Sequence, residues 1–397
     1  MKLLLVTTNY GGGAGIACRR QHRALLESGI DSKLLILYKT DAPTEKNVFS
    51  VEEILTQKKG KLYFKLLKYL NLFLNKLPVF FNTNVFINGP FSIFRIDQLD
   101  IYKQSDIVHF HWVPKMISWK HVFANKDKHF FWTLHDMNPF TGGNHYAQDY
   151  DYSKFKHLLN KNVSKKASYV KGCNLKIICP SVWLTDLAKQ SEVFKKFEAF
   201  TVPNCVDTEI FKPLAKAKQK ESLQLPPNKK VMLFVAENPN DKRKGMHLLL
   251  QSLKELKYAD DICLLVIGKQ IKIESAIEII QLGVIKSESA LATIYNAADF
   301  FVIPSLEDNL PNTIVESMAC GTPVIGFKTG GLPDLIINNE TGMLVSFEDA
   351  VDLARCIDLF ISMPDASVYS KGARELAVKK CSEKEVVKRL VELYELS

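Results

Sequence analysis

The sequence contains no apolar run long enough to cross a bilayer and no closely spaced pair of cysteines. A spanning helix needs about 18 to 20 apolar residues, and the apolar part of the opening MKLLLVTTNYGGG is also too short for a secretory leader. We therefore expect a cytoplasmic protein. The eight cysteines show no C-x-x-C spacing, which argues against a zinc site and a disulfide framework. We expect them to be small buried apolar residues.

The length and the charge distribution indicate two different halves. A chain of 397 residues exceeds what one hydrophobic core usually serves. Residues 1–200 hold 29 Lys and Arg against 16 Asp and Glu, whereas residues 201–397 hold 23 against 27. A basic half suits nucleic acid, an anionic membrane surface or a phosphorylated substrate. Nucleic acid is the weakest of the three, because Lys outnumbers Arg and the aromatic residues do not alternate with Arg.

Short apolar runs alternate with helix-like segments along the whole chain. LLLVTT ends in the glycine loop GGGAG, and the following segment has helical spacing that stops at Gly29. The later runs are SKLLILY, SDIVHFHW, HFFWTLHD and LKIICPS, then KVMLFVAE, DICLLVIG, DFFVIPS and TPVIGF. This pattern predicts an α/β fold of two doubly wound Rossmann-like domains, covering residues 1–205 and 206–380. The Pro- and Lys-rich stretch 205–228 marks the boundary.

The stretch PSLEDNLPNTIVESMACG sets two acids around a turn that follows an apolar run. A carboxylate accepts hydrogen bonds, so Glu316 suits a ribose diol and Asp308 suits a second set of hydroxyls. The N–H groups at the start of the following helix favour a diphosphate. A sugar nucleotide has these three parts. The alternative is that Asp308 caps the helix and Glu316 is solvated. The candidate sugar-nucleotide contacts in this stretch are Asp308, Asn309, Leu310, Asn312, Thr313 and Glu316.

This stretch resembles the acid-x7-acid motif of the retaining family 4 glycosyltransferases, which have the GT-B fold of two domains facing across a cleft. The resemblance implies that Glu316 binds the ribose and that the first acid, Asp308, contacts the donor sugar. The family usually has Glu at the first position, so Glu307 is the alternative. The resemblance also implies a UDP- or GDP-sugar donor, with no metal and no further cofactor.

A basic loop follows the run KVMLFVAE and carries the same resemblance. In the family the last basic residue before the glycine of this loop holds the departing diphosphate, which here is Lys244. Many members also carry an Arg directly after the strand, where this chain has Ala236 and Glu237. Arg243 is therefore the candidate for that role, and the alternative is that the role is absent from this chain. A solvated helix start is disfavoured, because cations oppose the dipole at a helix N-terminus.

Three further segments match the family pattern. Gly330 and Gly331 resemble its GG-x-P stretch near the donor, and VPNCVDTEIF resembles its inter-domain segment with Cys205 in place of Gly. Residues 381–397 resemble the final helix that crosses back onto the first domain. An ordinary amphipathic terminal helix is the alternative for that last segment.

The glycine loop after LLLVTT is a weaker signal. It lacks the last glycine of a G-x-G-x-x-G dinucleotide motif. The resemblance implies that Gly12 and Gly13 bring backbone N–H groups near the diphosphate and the acceptor. A plain turn between strand and helix is the alternative.

The stretch FFWTLHDMNPFTGGNHY resembles a subgroup encoded in bacterial exopolysaccharide and lipopolysaccharide clusters. His135 is the first polar residue after the apolar run, and it aligns with the family histidine close to the transferred sugar. A hydrogen bond from its imidazole to the sugar is a typical transition-state contact. His109 and His111 share one side of a strand end. No third metal ligand has suitable spacing, so we expect structural hydrogen bonds for these two.

Residues 58–81 are predicted to form a basic amphipathic helix. Lys61, Lys65 and Lys68 share one face, which suits an anionic membrane surface. Packing against the domain core is the alternative. The apolar residues placed broadly opposite are Leu62, Leu66, Leu70, Phe73, Leu74 and Leu77.

Together these features predict a retaining glycosyltransferase that moves a sugar from a nucleotide diphosphate to a hydroxyl of a growing lipid-linked glycan. The candidate catalytic residues are His135, Lys244 and Asp308. Within the expected cytoplasmic location, the enzyme would lie peripherally on the inner face of the membrane. Two alternatives stay open: a sugar-nucleotide epimerase of the same fold, and a non-catalytic sugar-binding relative.

Overall fold

The computed structural model describes residues 1–40, 46–76, 87–147, 153–275 and 277–396. The chain divides into two compact units. One comprises Met1–Pro203 with Val386–Ser397, and the other comprises Asn204–Glu385. The division lies two residues before the predicted boundary, and the return to the first unit begins at Val386 rather than at residue 381.

The described residues of the first unit form a seven-stranded sheet flanked by helices. Its strands are β1 (Lys2–Thr7), β2 (Asp31–Ile36), β3 (Val48–Ser50), β4 (Ile107–Phe110), β5 (His129–Thr133), β6 (Asn174–Cys179) and β7 (Ala199–Thr201). Its helices are α1 (Gly12–Glu27), α2 (Val51–Lys59), α3 (Lys61–Lys76), α4 (Asp100–Lys103), α5 (Trp119–Val122), α6 (Lys156–Val170) and α7 (Val182–Gln190).

The described residues of the second unit form a six-stranded sheet. Its strands are β8 (Lys230–Val235), β9 (Ile262–Ile267), β10 (Glu278–Gly283), β11 (Phe300–Ile303), β12 (Val324–Phe327) and β13 (Gly342–Val345). Its helices are α8 (Lys216–Ser222), α9 (Met246–Ser252), α10 (Glu288–Ala297), α11 (Asn312–Ala319), α12 (Ala350–Ser362) and α13 (Ser367–Cys381). The last helix, α14 (Glu383–Glu395), ends in the first unit.

Both sheets have the doubly wound order in which the chain starts near the middle and turns back once. The orders are β3-β2-β1-β4-β5-β6-β7 and β10-β9-β8-β11-β12-β13, and the strand pairs are parallel. The predicted α/β fold of two Rossmann-like domains is confirmed. In such sheets ligands bind beyond the carboxyl ends of the strands where the order reverses. Those points lie between β1 and β4 and between β8 and β11.

The predicted apolar runs became the buried inner strands. β4 and β9 are buried at every position, as expected for strands covered by helices on both faces. All eight cysteines are free thiols and are buried, which confirms that they act as small core residues. No helix among the described residues is both long and apolar enough to cross a membrane.

The helix predicted over residues 58–81 is two helices. α2 ends at Lys59, and Gly60 has a φ of 88°, a left-handed conformation that suits glycine and interrupts the helix. α3 then runs from Lys61 to Lys76. The last predicted positions, 77–81, lie outside the described residues.

The carboxyl half of α14 packs on the sheet of the first unit. Tyr394 is buried there, and its hydroxyl lies 2.6 Å from His109 Nδ1 and accepts a hydrogen bond from Gln21 Nε2 at 3.3 Å. Lys176 Nζ donates to the carbonyl oxygen of Leu396 at 2.9 Å. Buried polar contacts of this kind fix the helix in one position more firmly than an amphipathic face alone.

Candidate functional site

The loop after β8 turns tightly against the loop after β11. The Asp241 side chain accepts a hydrogen bond from Arg243 N and starts a short 3-10 turn over Lys242–Lys244. Gly245 follows with a φ of 72°, and a Cβ there would lie 1.7 Å from the carbonyl oxygen of Pro304. Leu306 N donates to Arg243 O at 2.8 Å. Because β8 and β11 are neighbours, the two loops meet at the point where the strand order reverses.

Asp308 is the centre of this region. Its carboxylate is buried, pairs with Lys244 Nζ at 2.5 Å and lies 3.7 Å from Arg243 Nη1. Ser305 Oγ donates to the same oxygen at 3.4 Å. Burial alone would raise the pKa of Asp308, but the charges of Lys244 and Arg243 and the bonds from Lys244 and Ser305 hold it below the usual value. Asp308 is therefore an ionised acceptor at neutral pH.

Arg243 connects the same loop to Glu307. Its Nη1 donates to the backbone carbonyl of Glu307 at 2.9 Å, while Asp308 forms the side-chain ion pair with Lys244. The predicted residues Arg243, Lys244, Glu307 and Asp308 thus lie together, and they form what we call the basic–acidic cluster.

The loop after β12 supports this cluster from a third direction. Gly330 has a φ of 52°, and a Cβ there would lie 1.8 Å from the backbone oxygen of Asp308. Gly331 N donates to that same oxygen at 3.2 Å. The GG pair predicted from the sequence therefore allows the backbone of one loop to approach the backbone of the other.

Replacing Gly330 with alanine is expected to disrupt the cluster. The new Cβ would collide with backbone, which cannot give way as a flexible side chain would, so the loop holding Asp308 must move. We expect donor affinity to fall at least about tenfold and the melting temperature to fall by several degrees, measured by titration calorimetry and thermal unfolding.

Gly29→Ala is the matched control. Gly29 also has a positive φ, 82°, but nothing lies within 4 Å of its Cβ position, and it belongs to the first unit. Comparing the two variants separates the strain of placing alanine at a positive φ from the effect of the collision with the Asp308 backbone. Equal donor affinity in wild type and Gly330→Ala would contradict the role of this contact.

Glu316 is not a solvated helix residue. It is buried in α11, and Tyr295 Oη donates to its Oε2 at 2.9 Å. Tyr295, itself fully buried in α10, was not identified from the sequence. No local pattern marked it, because the two helices meet only in the folded unit.

Asp308 does not cap α11, which was the alternative considered from the sequence. The N-cap is Pro311, which makes no side-chain capping bond, so Asp308 is not the cap. Asn204 fixes this turn instead: its Nδ2 donates to Leu310 O at 3.2 Å and to Asn312 Oδ1 at 2.9 Å. Asn309 and Leu310 are buried, and Asn312 and Thr313 are half-buried in the first turn of the helix.

The glycine loop of the first unit opens α1. Gly11 is the N-cap, and Gly11, Gly12 and Gly13 are exposed, with nothing within 4 Å of a Cβ at any of them. Gly12 has a φ of 73°. The close approach is made by Gly15, where a Cβ would lie 2.5 Å from Asn9 O. Gly12 and Gly13 therefore lie on the accessible surface of the first turn of α1, beyond the end of β1.

Three histidines form one cluster at the carboxyl ends of β4 and β5. His111 Nδ1 lies 2.9 Å from His135 Nε2, and the rings of His109 and His111 stack at 4.7 Å. His109 Nε2 also lies 2.8 Å from Thr133 Oγ1. Burial lowers the pKa of His109 to about 3 and that of His135 to about 4, although the Asp136 charge partly opposes the second shift. Each ring is therefore neutral at pH 7.

The stability of the protein is expected to fall on acidification because of His109. Its unfolded pKa of about 6.5 exceeds the folded value of about 3, so the unfolded chain binds the extra proton. The contribution of the neutral His109 ring to the unfolding free energy is fully present well above pH 6.5. It decreases as the pH falls from the unfolded pKa towards the folded pKa. At pH 5 the loss from His109 alone is about 2 kcal/mol.

Urea unfolding at pH 7.5 and pH 5.0 measures this effect. The difference in unfolding free energy between the two pH values should shrink by about 2 kcal/mol in His109→Gln. His157→Gln, a change at an exposed histidine of α6, should leave the difference unchanged. An equal difference in wild type and His109→Gln would show that the buried ring does not titrate as described.

Asp136, which directly follows His135, is a buried acidic residue with several hydrogen-bond partners. Its Oδ2 accepts from Trp112 Nε1 at 2.9 Å and lies 2.6 Å from His145 Nδ1, and its Oδ1 accepts from Asn138 N at 2.9 Å. These contacts hold its pKa low against the effect of burial. Asp136 follows His135 directly, so the network fixes the backbone next to the cluster histidine.

A buried lysine of α6 contacts the loop that follows β5. Lys166 Nζ donates to the carbonyl oxygens of Asn138 and Thr141 at 2.5 and 3.0 Å and lies 5.3 Å from the Trp119 ring centre. Burial lowers its pKa to about 7, with Asp136 acting in the opposite direction. Within the described residues no group of three His, Cys, Asp or Glu side chains is arranged to hold a metal ion.

A match to a known protein family lies within the second unit. Residues 215–376 match the family described as "Glycosyl transferases group 1". This range contains the basic–acidic cluster and Glu316. The α/β architecture is that of GT-B proteins. Over the whole chain, the structure is similar to sucrose-phosphate synthase from Thermosynechococcus elongatus, with a TM-score of 0.71, 18% identity and coverage of 100% and 98% of the two chains.

Two further proteins show the range of the similarity. Anabaena Alr3699/HepE, solved with UDP and glucose, has a TM-score of 0.68 at 14% identity and full coverage of both chains. The D-inositol 3-phosphate glycosyltransferase of Segniliparus rotundus is 33% identical over 158 residues, which cover 36% of this chain and 35% of that protein. The chain thus spans about a third of the length of that curated relative.

Proposed function

We propose that the protein is a retaining glycosyltransferase that uses a nucleotide-diphosphate sugar. The observation that carries the proposal is the basic–acidic cluster where the strand order of the second unit reverses, within the segment that matches the glycosyltransferase family. Two cations, an ionised carboxylate and a further buried carboxylate in the next helix fit a donor with a diphosphate, a sugar and a ribose.

The proposed roles follow from this chemistry. Lys244 and Arg243 bind the diphosphate, Glu316 accepts hydrogen bonds from the ribose, and Asp308 accepts from hydroxyls of the transferred sugar. Glu307 is the alternative for this last role. His135, as a neutral imidazole, hydrogen-bonds the sugar. Backbone N–H groups of Gly12 and Gly13 and of the first turn of α11 complete the anion contacts.

In the proposed reaction one bond breaks and one forms on the same face of the sugar. The bond from the anomeric carbon to the donor phosphate oxygen breaks, and the electron pair stays on the diphosphate. The acceptor hydroxyl oxygen forms the new bond to that carbon, and its proton passes to a diphosphate oxygen. Lys244 and Arg243 stabilise the negative charge that develops on the leaving group.

The acceptor is proposed to be a growing lipid-linked glycan of a bacterial surface polysaccharide. The excess of Lys and Arg in residues 1–200 favours an acceptor that carries phosphate. A glycan on a lipid phosphate has this property. So does a phosphorylated small molecule, such as the inositol phosphate in the printed name of the Segniliparus rotundus relative. The epimerase and the binding protein are the competing functions.

A turnover screen tests the proposal. UDP-, GDP- and ADP-sugars are supplied with bacterial glycolipid extract, with inositol phosphates, or with no acceptor, and nucleotide release and sugar products are measured. Nucleotide release that depends on an acceptor supports the transferase, and the active acceptor identifies its class. Isomerised sugar without acceptor would assign an epimerase. Donor binding without turnover in any combination would assign a binding protein.

A further inference from the structure

The outer face of α3 carries a stripe of exposed apolar side chains. Leu62, Leu66 and Phe73 are 81%, 66% and 51% exposed, and Tyr69 and Leu70 are exposed beside them. At 3.6 residues per turn, these positions fall on one side of the helix. We call these five residues the α3 stripe. Large apolar side chains that are exposed singly are ordinary, but a contiguous set indicates a binding surface.

The opposite side of α3 already holds the helix on its unit. Phe64 is buried and stacks on Phe94 with 5.8 Å between ring centres. Asn71 is buried as well, donates from Nδ2 to Lys115 O at 2.8 Å and accepts from Ile93 N at 3.1 Å. The α3 stripe is therefore distinct from the face of α3 that packs on the unit, because that face contains Phe64 and Asn71.

Lysines border the stripe on one side. α3 contains Lys61, Lys65, Lys68 and Lys76 and no Asp or Glu. In helical projection the lysines lie between the buried side and the α3 stripe, with Lys65 and Lys76 nearest to the stripe. Apolar side chains with cations along one edge are complementary to a surface that is anionic outside and apolar beneath.

We propose that the α3 stripe docks on an anionic lipid surface with the helix axis parallel to the bilayer. Sixteen residues rise about 24 Å, less than the roughly 30 Å of a hydrocarbon core, so α3 lies on the bilayer and does not cross it. A second copy of the chain is the less favourable occupant. Two stripes paired antiparallel, around a two-fold axis perpendicular to the helices, would bring the lysine borders of both copies close together.

Vesicle flotation tests the proposal with the full chain. Vesicles of phosphatidylcholine with about 30 mol% phosphatidylglycerol, which carry a negative surface potential, are compared with vesicles of phosphatidylcholine alone. The wild type is expected to float with the anionic vesicles and to be released by about 0.5 M NaCl. Leu62→Gln, Leu66→Gln and Phe73→Gln combined should lower the partition coefficient at least about tenfold.

Matched controls come from the second unit. Val351, Leu359 and Val368 are also exposed apolar helix residues, and their combined change to Gln should leave flotation unchanged. Lys61→Gln with Lys65→Gln should weaken binding by about fivefold for each lysine. Lys254→Gln with Lys269→Gln, at exposed positions of the second unit, should have no such effect. Far-UV circular dichroism and melting temperatures verify that each variant is folded.

The outcomes are distinct from those of the turnover screen, because flotation needs neither donor nor acceptor. Binding to anionic vesicles that the stripe variant loses supports the proposal. Failure of the wild type to bind, or equal binding by wild type and stripe variant, overturns it. A wild-type dimer in sedimentation velocity that the stripe variant abolishes, without vesicle binding, also overturns it and assigns the stripe to a second copy.

Discussion

Donor turnover by Lys244→Ala is expected to fall by about a hundred- to a thousand-fold, with a smaller change in donor KM. Lys244 lies within ion-pair distance of Asp308 and is positioned by the turn that Asp241 starts. Its proposed role is to stabilise the charge on the departing diphosphate, which is greatest in the transition state. Removing a contact of that kind lowers kcat more than ground-state binding.

Lys242→Ala is the matched control for this variant. Lys242 belongs to the same 3-10 turn but is exposed, so its removal changes the net charge equally without changing the cluster. Lys244→Ala also removes a partner of the buried Asp308, so its melting temperature must be measured at the same time. A folded Lys244→Ala protein with turnover within threefold of wild type would remove Lys244 from the mechanism.

Glu316→Gln is expected to weaken donor binding by about ten- to a hundred-fold, seen as a higher donor KM. The amide keeps the shape of the side chain but donates where the carboxylate accepts. One carboxylate oxygen already accepts from Tyr295 Oη at 2.9 Å, which orients the group within α11. The proposed ribose contact therefore loses a charge-assisted hydrogen bond at a fixed position.

Two comparisons make the Glu316 experiment specific. Tyr295→Phe removes the orienting hydroxyl but leaves the carboxylate, so it should raise the KM less than Glu316→Gln does. Glu255→Gln, at an exposed position of the same unit, should have no effect. The nucleoside diphosphate alone should show the same loss of affinity as the full donor. If Glu316→Gln weakens only the full donor, the carboxylate contacts the sugar and not the ribose.

The inner strands were predictable from sequence, but the edge strands were not. β4, β9 and β11 are buried throughout and stand out as unbroken apolar runs. β3 and β7 have three residues each, and β10 is half-exposed along most of its length. An edge strand pairs on one side only, so its sequence needs no continuous apolar run.

The candidate site also contains residues that the sequence indicated and contacts that it did not. Lys244, Asp308 and Glu316 follow apolar runs or lie in motifs, so local sequence was sufficient to select them. Tyr295 was missed because it reaches Glu316 from another helix. The contacts of Asp136 with Trp112 and His145 were missed because they join separate loops. Such pairings depend on which strands become neighbours, and that is set by the assembled sheet.

The amino-acid sequence by itself determined the class of fold, the two-domain plan and the chemical types available at the ends of the strands. Periodic apolar runs and glycine loops are sufficient for that, since they act over a few residues. Only the tertiary structure decided which groups became partners. It buried Asp308 between Lys244 and Arg243, kept the histidines neutral and left the α3 stripe exposed. Burial and ion pairing depend on residues far apart in the chain, so no local pattern contains them.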